Sequence, residues 1–137
     1  MDAIFKTKVS ATGGRDGKVK SEDGLLDFEV RIPKSMGGAG GEFTNPEQLF
    51  AAGYAACFDS ALNYVARINK HKIESKITAT VGLQISEFDG FTLVASIDAE
   101  IAGVERQVAL ELLEKSHATC PYSKAIRNNV DVKINLV

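Results

Sequence analysis

From Gln48 to Phe58 the chain carries no formal charge, and this stretch lies inside what reads as a helix. Thr44-Asn45-Pro46-Glu47-Gln48 supplies the start. Asn45 suits the cap, Pro46 suits the first turn, where its missing N–H costs nothing, and Gln48 stands three residues past the cap, where it can reach back to the backbone. The spacing predicts a helix running to about Asn69. Leu49, Phe50, Ala51, Ala52, Tyr54, Ala55, Ala56, Cys57 and Phe58 make its first half apolar on every side, so other elements must wrap it rather than leave it on a surface. At about 1.5 Å per residue the helix is ~35 Å long. A sheet drawn from one chain of 137 residues is hard to stretch around it. An intertwined homodimer is therefore expected.

The flanking segments read as strands. Three Asp-Gly pairs, at Asp16-Gly17, Asp23-Gly24 and Asp89-Gly90, mark chain reversals, because Gly accepts positive φ without steric cost. Around the second, Leu26, Phe28, Val30 and Ile32 alternate with Asp27, Glu29 and Arg31, as in a strand with one wet face. An N-terminal antiparallel meander follows. Around the third, Ile77, Ala79, Val81, Leu83 and Ile85 face Phe91, Leu93, Ala95, Ile97, Ala99 and Ile101 across a long hairpin. A second helix, about Val104 to Ala118, turns Val108, Leu112 and Leu113 inward, and Pro121 opens a short third one ending near Arg127. Val130, Val132, Ile134 and Leu136 close the chain as a strand. The order predicts an α+β fold, antiparallel sheets around a long buried helix, in a single domain over residues 1–137.

Sixteen Lys and Arg against eighteen Asp and Glu leave a net charge of −2, too balanced for a protein that seeks nucleic acid or anionic lipid. The charge-free stretch is far short of the ~20 apolar residues needed to cross a bilayer. Met1 to Ser10 alternates apolar and polar residues with no apolar core like that of a secretion signal, which points to the cytoplasm. Thiols stay reduced there, so the two cysteines are poor candidates for a structural staple, and chemistry is the more interesting explanation for them.

Residue by residue, bland readings compete with functional ones. Cys57 in an apolar helix is, on its own, a core residue whose thiol burial makes inert, unless a nearby Arg reverses the effect. Cys120, just before a helix start, is by local physics the more acidic thiol. Gly13-Gly14-Arg15-Asp16-Gly17 reads alone as a solvated hairpin end, and Glu47 as a complement to the helix dipole. Gly37-Gly38-Ala39-Gly40-Gly41 lacks the Gly-Lys-Ser/Thr of a phosphate loop and serves as a sharp turn before the helix. A zinc site built from Cys57, His71, His117 and Cys120 has only one close pair and no Cys-x-x-Cys, so no metal is expected. A Cys-His hydrolase is equally weak, because Cys57 sits inside a helix rather than on a strand-to-helix elbow.

Four fragments in order carry a joint signal. They are Ala11 to Gly17 (ATGGRDG), Gly37 to Gly41 (GGAGG), Thr44 to Phe58 (TNPEQLFAAGYAACF) and Cys120 to Ser123 (CPYS). Together they resemble the organic hydroperoxide resistance (Ohr) branch of the OsmC/Ohr superfamily over nearly the whole chain. The GGRDG and CPYS stretches favour that branch over the general OsmC one.

The resemblance implies a thiol peroxidase with no cofactor. Cys57 would be the peroxidatic thiol and Cys120 the resolving one, reversing the local preference for Cys120, with Arg15 and Glu47 as the supporting pair. It also implies an organic hydroperoxide as substrate and a lipoyl dithiol, free or protein-bound, as reductant. Phe50, Tyr54 and Phe58 are candidates for a greasy site that favours bulky hydroperoxides. Ten residues separate Glu47 from Cys57, or ~15 Å of straight helix, so one Arg reaches both only if it is long-reaching, the helix breaks, or a second chain contributes, and the second chain is favoured. Two other functions fit the same residues less well: a thiol-based redox sensor, and a carrier of hydrophobic ligands in which the cysteines are incidental.

Overall fold

The computed structural model describes residues 2–137; Met1, the first residue of the alternating start, lies outside them. The chain forms two compact units, Met1–Leu49 and Phe50–Val137.

In the first unit, β1 (Val9–Thr12), β2 (Lys18–Ser21) and β3 (Asp27–Glu29) form the expected antiparallel meander in that order. The Gly13–Gly17 segment turns the chain between β1 and β2 through a single 3-10 turn, Gly14–Asp16. Asp23 caps the next turn by accepting from the N–H of Leu25 at 3.0 Å. β3 stops short of Ile32: Val30 still pairs with Gly17 but also bridges Thr44 in parallel, with the N–H of Arg31 donating to the Thr44 carbonyl at 3.1 Å. This bridge delivers the chain to the start of α1 (Pro46–Ile68). Val30 is buried at 1% exposure, yet Val9 and Phe28 remain about half exposed at 51% and 49%. The meander therefore has apolar side chains that its own chain does not cover.

In the second unit, α1 from Phe50 onward packs on a sheet of β4 (Glu74–Ser86), β5 (Gly90–Ala102) and β6 (Val132–Leu136), with α2 (Arg106–Thr119) and α3 (Pro121–Ile126) between the last two strands. β4 and β5 pair in register from Glu74 opposite Ala102 to Ser86 opposite Gly90, so the odd-numbered apolar residues of both share one face. Tyr54, Phe58, Leu62 and Val65 of α1 meet Ile97 and Ala99 of β5 and Leu112 and Leu113 of α2 in one core. One strand departs from the antiparallel expectation. β6 runs parallel to β5, Ala95 opposite Val132 through Ala99 opposite Leu136. The α2–α3 connection is long enough to carry the chain back to the same end of the sheet, which a tight turn is not.

α1 is continuous from Pro46 to Ile68 and is not covered all round. Ala52, Ala56, Ser60, Asn63, Tyr64 and Arg67 form one exposed stripe along it. The first three are small, so another backbone can approach closely there.

Candidate active site

Backbone geometry fixes the loop that carries Arg15. Gly13 holds φ at 75°, and a Cβ at Gly17 would come within 1.8 Å of the Thr12 carbonyl oxygen, so only glycine fits there. The N–H of Asp16 donates to the Gly13 carbonyl at 3.2 Å, and Gly17 and Val30 exchange backbone bonds of 3.1 and 2.9 Å. Arg31 adds a bond from Nη1 to the Gly17 carbonyl at 3.0 Å. What reads in isolation as a loose hairpin end has a specified shape.

From that loop the Arg15 guanidinium grips Glu47 in fork geometry, Nη1 to Oε2 at 2.9 Å and Nη2 to Oε1 at 2.6 Å. Glu47 lies in the first turn of α1, which Asn45 caps by accepting the N–H of Gln48 at 2.8 Å. The Gln48 side chain does not reach back to the backbone as expected. Its Oε1 accepts instead from the Thr44 hydroxyl at 2.6 Å.

The Arg15 hydrogen bonds hold the Glu47 carboxyl below its ordinary value of 4.5. A depressed carboxyl stabilises the fold above its unfolded value, and that contribution is lost as pH falls through the lower folded value. Glu47→Gln should therefore lose less stability than the parent protein between about pH 7 and about pH 3 in denaturant titrations. Equal acid loss in both proteins would contradict a native ion pair here.

Within the second unit the two cysteines meet. Cys57 is half-buried on α1, and Cys120 is fully buried at the corner where α2 ends and α3 begins. Both are free thiols, and Cys120 Sγ donates to Cys57 Sγ at 3.6 Å. A disulfide needs about 2.05 Å, so closure asks for roughly 1.6 Å of approach.

Cys57 also opens onto a groove of about 540 Å³ shared with Ser60, Ala61, Tyr64, Arg67, Thr119 and Pro121. The candidate aromatics do not line it. Tyr54 and Phe58 are fully buried in the core, where they pack edge to face at 6.3 Å, and Phe50 packs against Tyr54 and Tyr122. Of the aromatic rings, it is Tyr64 that faces the groove.

Burial pushes the Cys57 thiol up, the backbone N–H of Tyr122 pulls it down, and the Cys120 sulfur adds to the rise. This amide, in the first turn of α3, reaches Cys57 across the corner. The four zinc candidates do not converge: among the described residues no three His, Cys, Asp or Glu side chains are grouped to hold a metal ion.

Sequence reasoning missed a polar cluster behind Cys120. The Tyr54 hydroxyl and Ser123 Oγ lie 2.8 Å apart, and Ser123 Oγ lies 3.0 Å from His117 Nδ1. Ser123 stood in the CPYS fragment, but nothing in its spacing named Tyr54 as the partner.

Comparison with known proteins agrees along the chain. The OsmC-like protein family matches residues 38–135. The organic hydroperoxide resistance protein OhrB of Bacillus subtilis is 47% identical over 137 residues, covering 98% of each chain. The crystal structure of an organic hydroperoxide resistance protein from Elizabethkingia anophelis is 50% identical, with a TM-score of 0.93, and the match covers 99% of this chain and 98% of that one. A Legionella pneumophila structure described as an organic hydroperoxide resistance protein OsmC is 45% identical, covers 98% of each chain and has a TM-score of 0.94. With the full-length match in sequence and in fold, this chain belongs to the OsmC/Ohr family, in its organic hydroperoxide resistance branch.

Proposed function

We propose that this protein confers resistance to organic hydroperoxides as a single-domain, thiol-dependent peroxidase that reduces them to alcohols. The observation that carries the reading is the pair of free sulfurs 3.6 Å apart, one of them open to a groove. Relatives named for organic hydroperoxide resistance support it.

In the first step the Cys57 thiolate attacks the distal oxygen of the hydroperoxide. An S–O bond forms, the O–O bond breaks, and the alkoxide leaves and takes a proton to become the alcohol. Because burial raises the Cys57 thiol, the thiolate needs a nearby positive charge. Arg15 is the group proposed for this, stabilising thiolate and departing alkoxide, with Glu47 holding its guanidinium in orientation.

In the second step the Cys120 sulfur displaces hydroxide from the Cys57 sulfenic acid. The thiol proton leaves with the hydroxide as water, and a disulfide remains. A dithiol, of which a lipoyl group is the proposed example, then exchanges with the disulfide and restores both thiols while closing to its own disulfide. No metal or organic cofactor enters these steps. Two free thiols suit the reducing cytoplasm as the working compartment.

Turnover of tert-butyl hydroperoxide with dihydrolipoamide tests the scheme. The native protein should run many turnovers, and Cys120→Ser should stall after oxidation of Cys57. Absence of multiple turnovers in the native protein would remove the peroxidase reading and leave a stoichiometric thiol sensor.

A second copy of the chain is proposed as part of the working assembly. Ala52, Ala56 and Tyr64 on the exposed stripe of α1 and the uncovered Val9 and Phe28 of the meander leave apolar surface that another copy can bury. Sedimentation at micromolar concentration should show a dimer. A stable folded monomer would contradict the expectation.

A further inference from the structure

We propose that Tyr54, Ser123 and His117 form a hydrogen-bonded chain that positions Cys120 for disulfide closure onto Cys57. The inference rests on the peroxidase reading above and concerns its second step.

Cys57 follows Tyr54 by three residues on α1, and Cys120 precedes Ser123 by three residues at the start of α3. Residues three apart on a helix share a face. The 2.8 Å contact between Tyr54 and Ser123 and the 3.6 Å contact between Cys57 and Cys120 are therefore neighbouring rungs joining the same two segments. One rung is a fixed hydrogen bond inside the core. The other is the pair of sulfurs that must react.

His117 supplies the third point. It lies in the last turn of α2, three residues before Cys120, and its Nδ1 meets Ser123 Oγ at 3.0 Å, so the two hydroxyls and the imidazole clasp the corner from both sides of the cysteine. The Cys120 backbone is held in the same way, its N–H donating to the Ser116 carbonyl at 2.8 Å and its carbonyl accepting from the N–H of Lys124 at 3.0 Å. Tyr54, Ser123 and Cys120 are each fully buried. Hydrogen bonds in such a dry site are strong, and a broken one leaves an unpaired polar group that the surroundings must shift to satisfy.

With the neutral ring protonated on Nε2, Tyr54 donates to Ser123 and Ser123 to His117 Nδ1; the other neutral tautomer reverses both bonds and keeps the chain intact. Burial, then the nearby Arg127 guanidinium, lowers the proton affinity of His117, which favours the neutral ring. Arg127 itself is tied down by donating from Nη2 to the His117 carbonyl at 3.0 Å.

None of these three side chains touches the peroxide bond, so they are positioning residues. Their effect must appear where Cys120 moves, in the roughly 1.6 Å that separates contact from bond. Misplacement by about 1 Å in such a step costs on the order of 100-fold.

Single-turnover oxidation by cumene hydroperoxide separates the two steps, with sulfenic acid trapped by dimedone and disulfide followed by mass. Tyr54→Phe keeps the buried ring, Ser123→Ala removes the central hydroxyl, and His117→Ala alters the half-buried end, where the fold is most tolerant. Each should slow disulfide closure about 10- to 100-fold while changing sulfenic acid formation by no more than about threefold. Sulfinic acid on Cys57 should accumulate under excess peroxide. The double variant Tyr54→Phe/Ser123→Ala should be no slower than the slower single variant, because the chain acts as a unit.

Closure at the native rate in the single variants, or equal slowing of both steps, would overturn the inference and leave the peroxidase reading standing. Failure of the native protein to form any sulfenic acid would overturn both.

Discussion

Replacing Cys57 with Ser is expected to lower hydroperoxide turnover by at least about 1,000-fold, the scale seen when a nucleophile is removed from an enzyme. The reason is chemical rather than structural. A serine hydroxyl keeps its proton near neutral pH and attacks peroxide oxygen poorly, whereas sulfur is polarisable and forms a workable anion. Cys57 is half-buried on a continuous helix with its neighbours packed in the core, so Ser should be accommodated and the protein should remain folded. The measurement is dithiol-dependent loss of tert-butyl hydroperoxide, with circular dichroism to confirm the fold. Cys120→Ser should behave differently, reacting once with peroxide and then accumulating sulfinic acid at Cys57. Activity retained in Cys57→Ser and lost only in Cys120→Ser would exchange the two roles.

Arg15→Met is expected to slow formation of the Cys57 sulfenic acid by about 100- to 1,000-fold, the range for losing one preorganised charge-stabilising group. Burial already disfavours the thiolate, and on the role proposed for Arg15 removing its cation adds to that cost, so the inflection of rate against pH should move upward in the variant. Arg15→Lys should recover only part of the rate. A single ammonium cannot reproduce the two bonds of 2.9 and 2.6 Å that hold the guanidinium to Glu47. A stopped-flow pH series on the three proteins measures this. An Arg15→Met rate equal to the native one at every pH would show that the thiolate is stabilised by something else.

Much of this architecture is written in local pattern. The period-2 runs around Asp23-Gly24 and Asp89-Gly90 gave the meander and the long hairpin, because side-chain alternation and turn chemistry act over a few residues. Asn45 and Pro46 marked the start of α1 for the same reason. What pattern could not supply was direction and pairing at long range. β6 has the alternation of a strand in either orientation, and only the α2–α3 crossover makes it parallel. Tyr54 and Phe58 read as rings beside a reactive cysteine, but packing against β5 and α2 turns both into the core, while Cys57 stays half-buried at its margin.

The candidate site was legible in a similar, uneven way. Arg15, Glu47, Cys57 and Cys120 were named from the resemblance of ordered fragments, while each alone had an ordinary structural reading. The structure pairs Arg15 with Glu47 and Cys57 with Cys120, contacts that span 32 and 63 residues of sequence. No local rule reaches that far. The amide of Tyr122 acting on Cys57, and the hydrogen bonds joining Tyr54, Ser123 and His117, became visible only once the α2–α3 corner was seen beside α1.

The central claim is that these two sulfurs form one redox unit under attack by an organic hydroperoxide. Adding one equivalent of cumene hydroperoxide to the fully reduced protein, followed by non-reducing peptide mapping, tests it directly. The account predicts a single linked peptide pair joining Cys57 to Cys120, formed within each chain and reversed by a dithiol. Both thiols left free, or oxidation of Cys120 with Cys57 untouched, would contradict it.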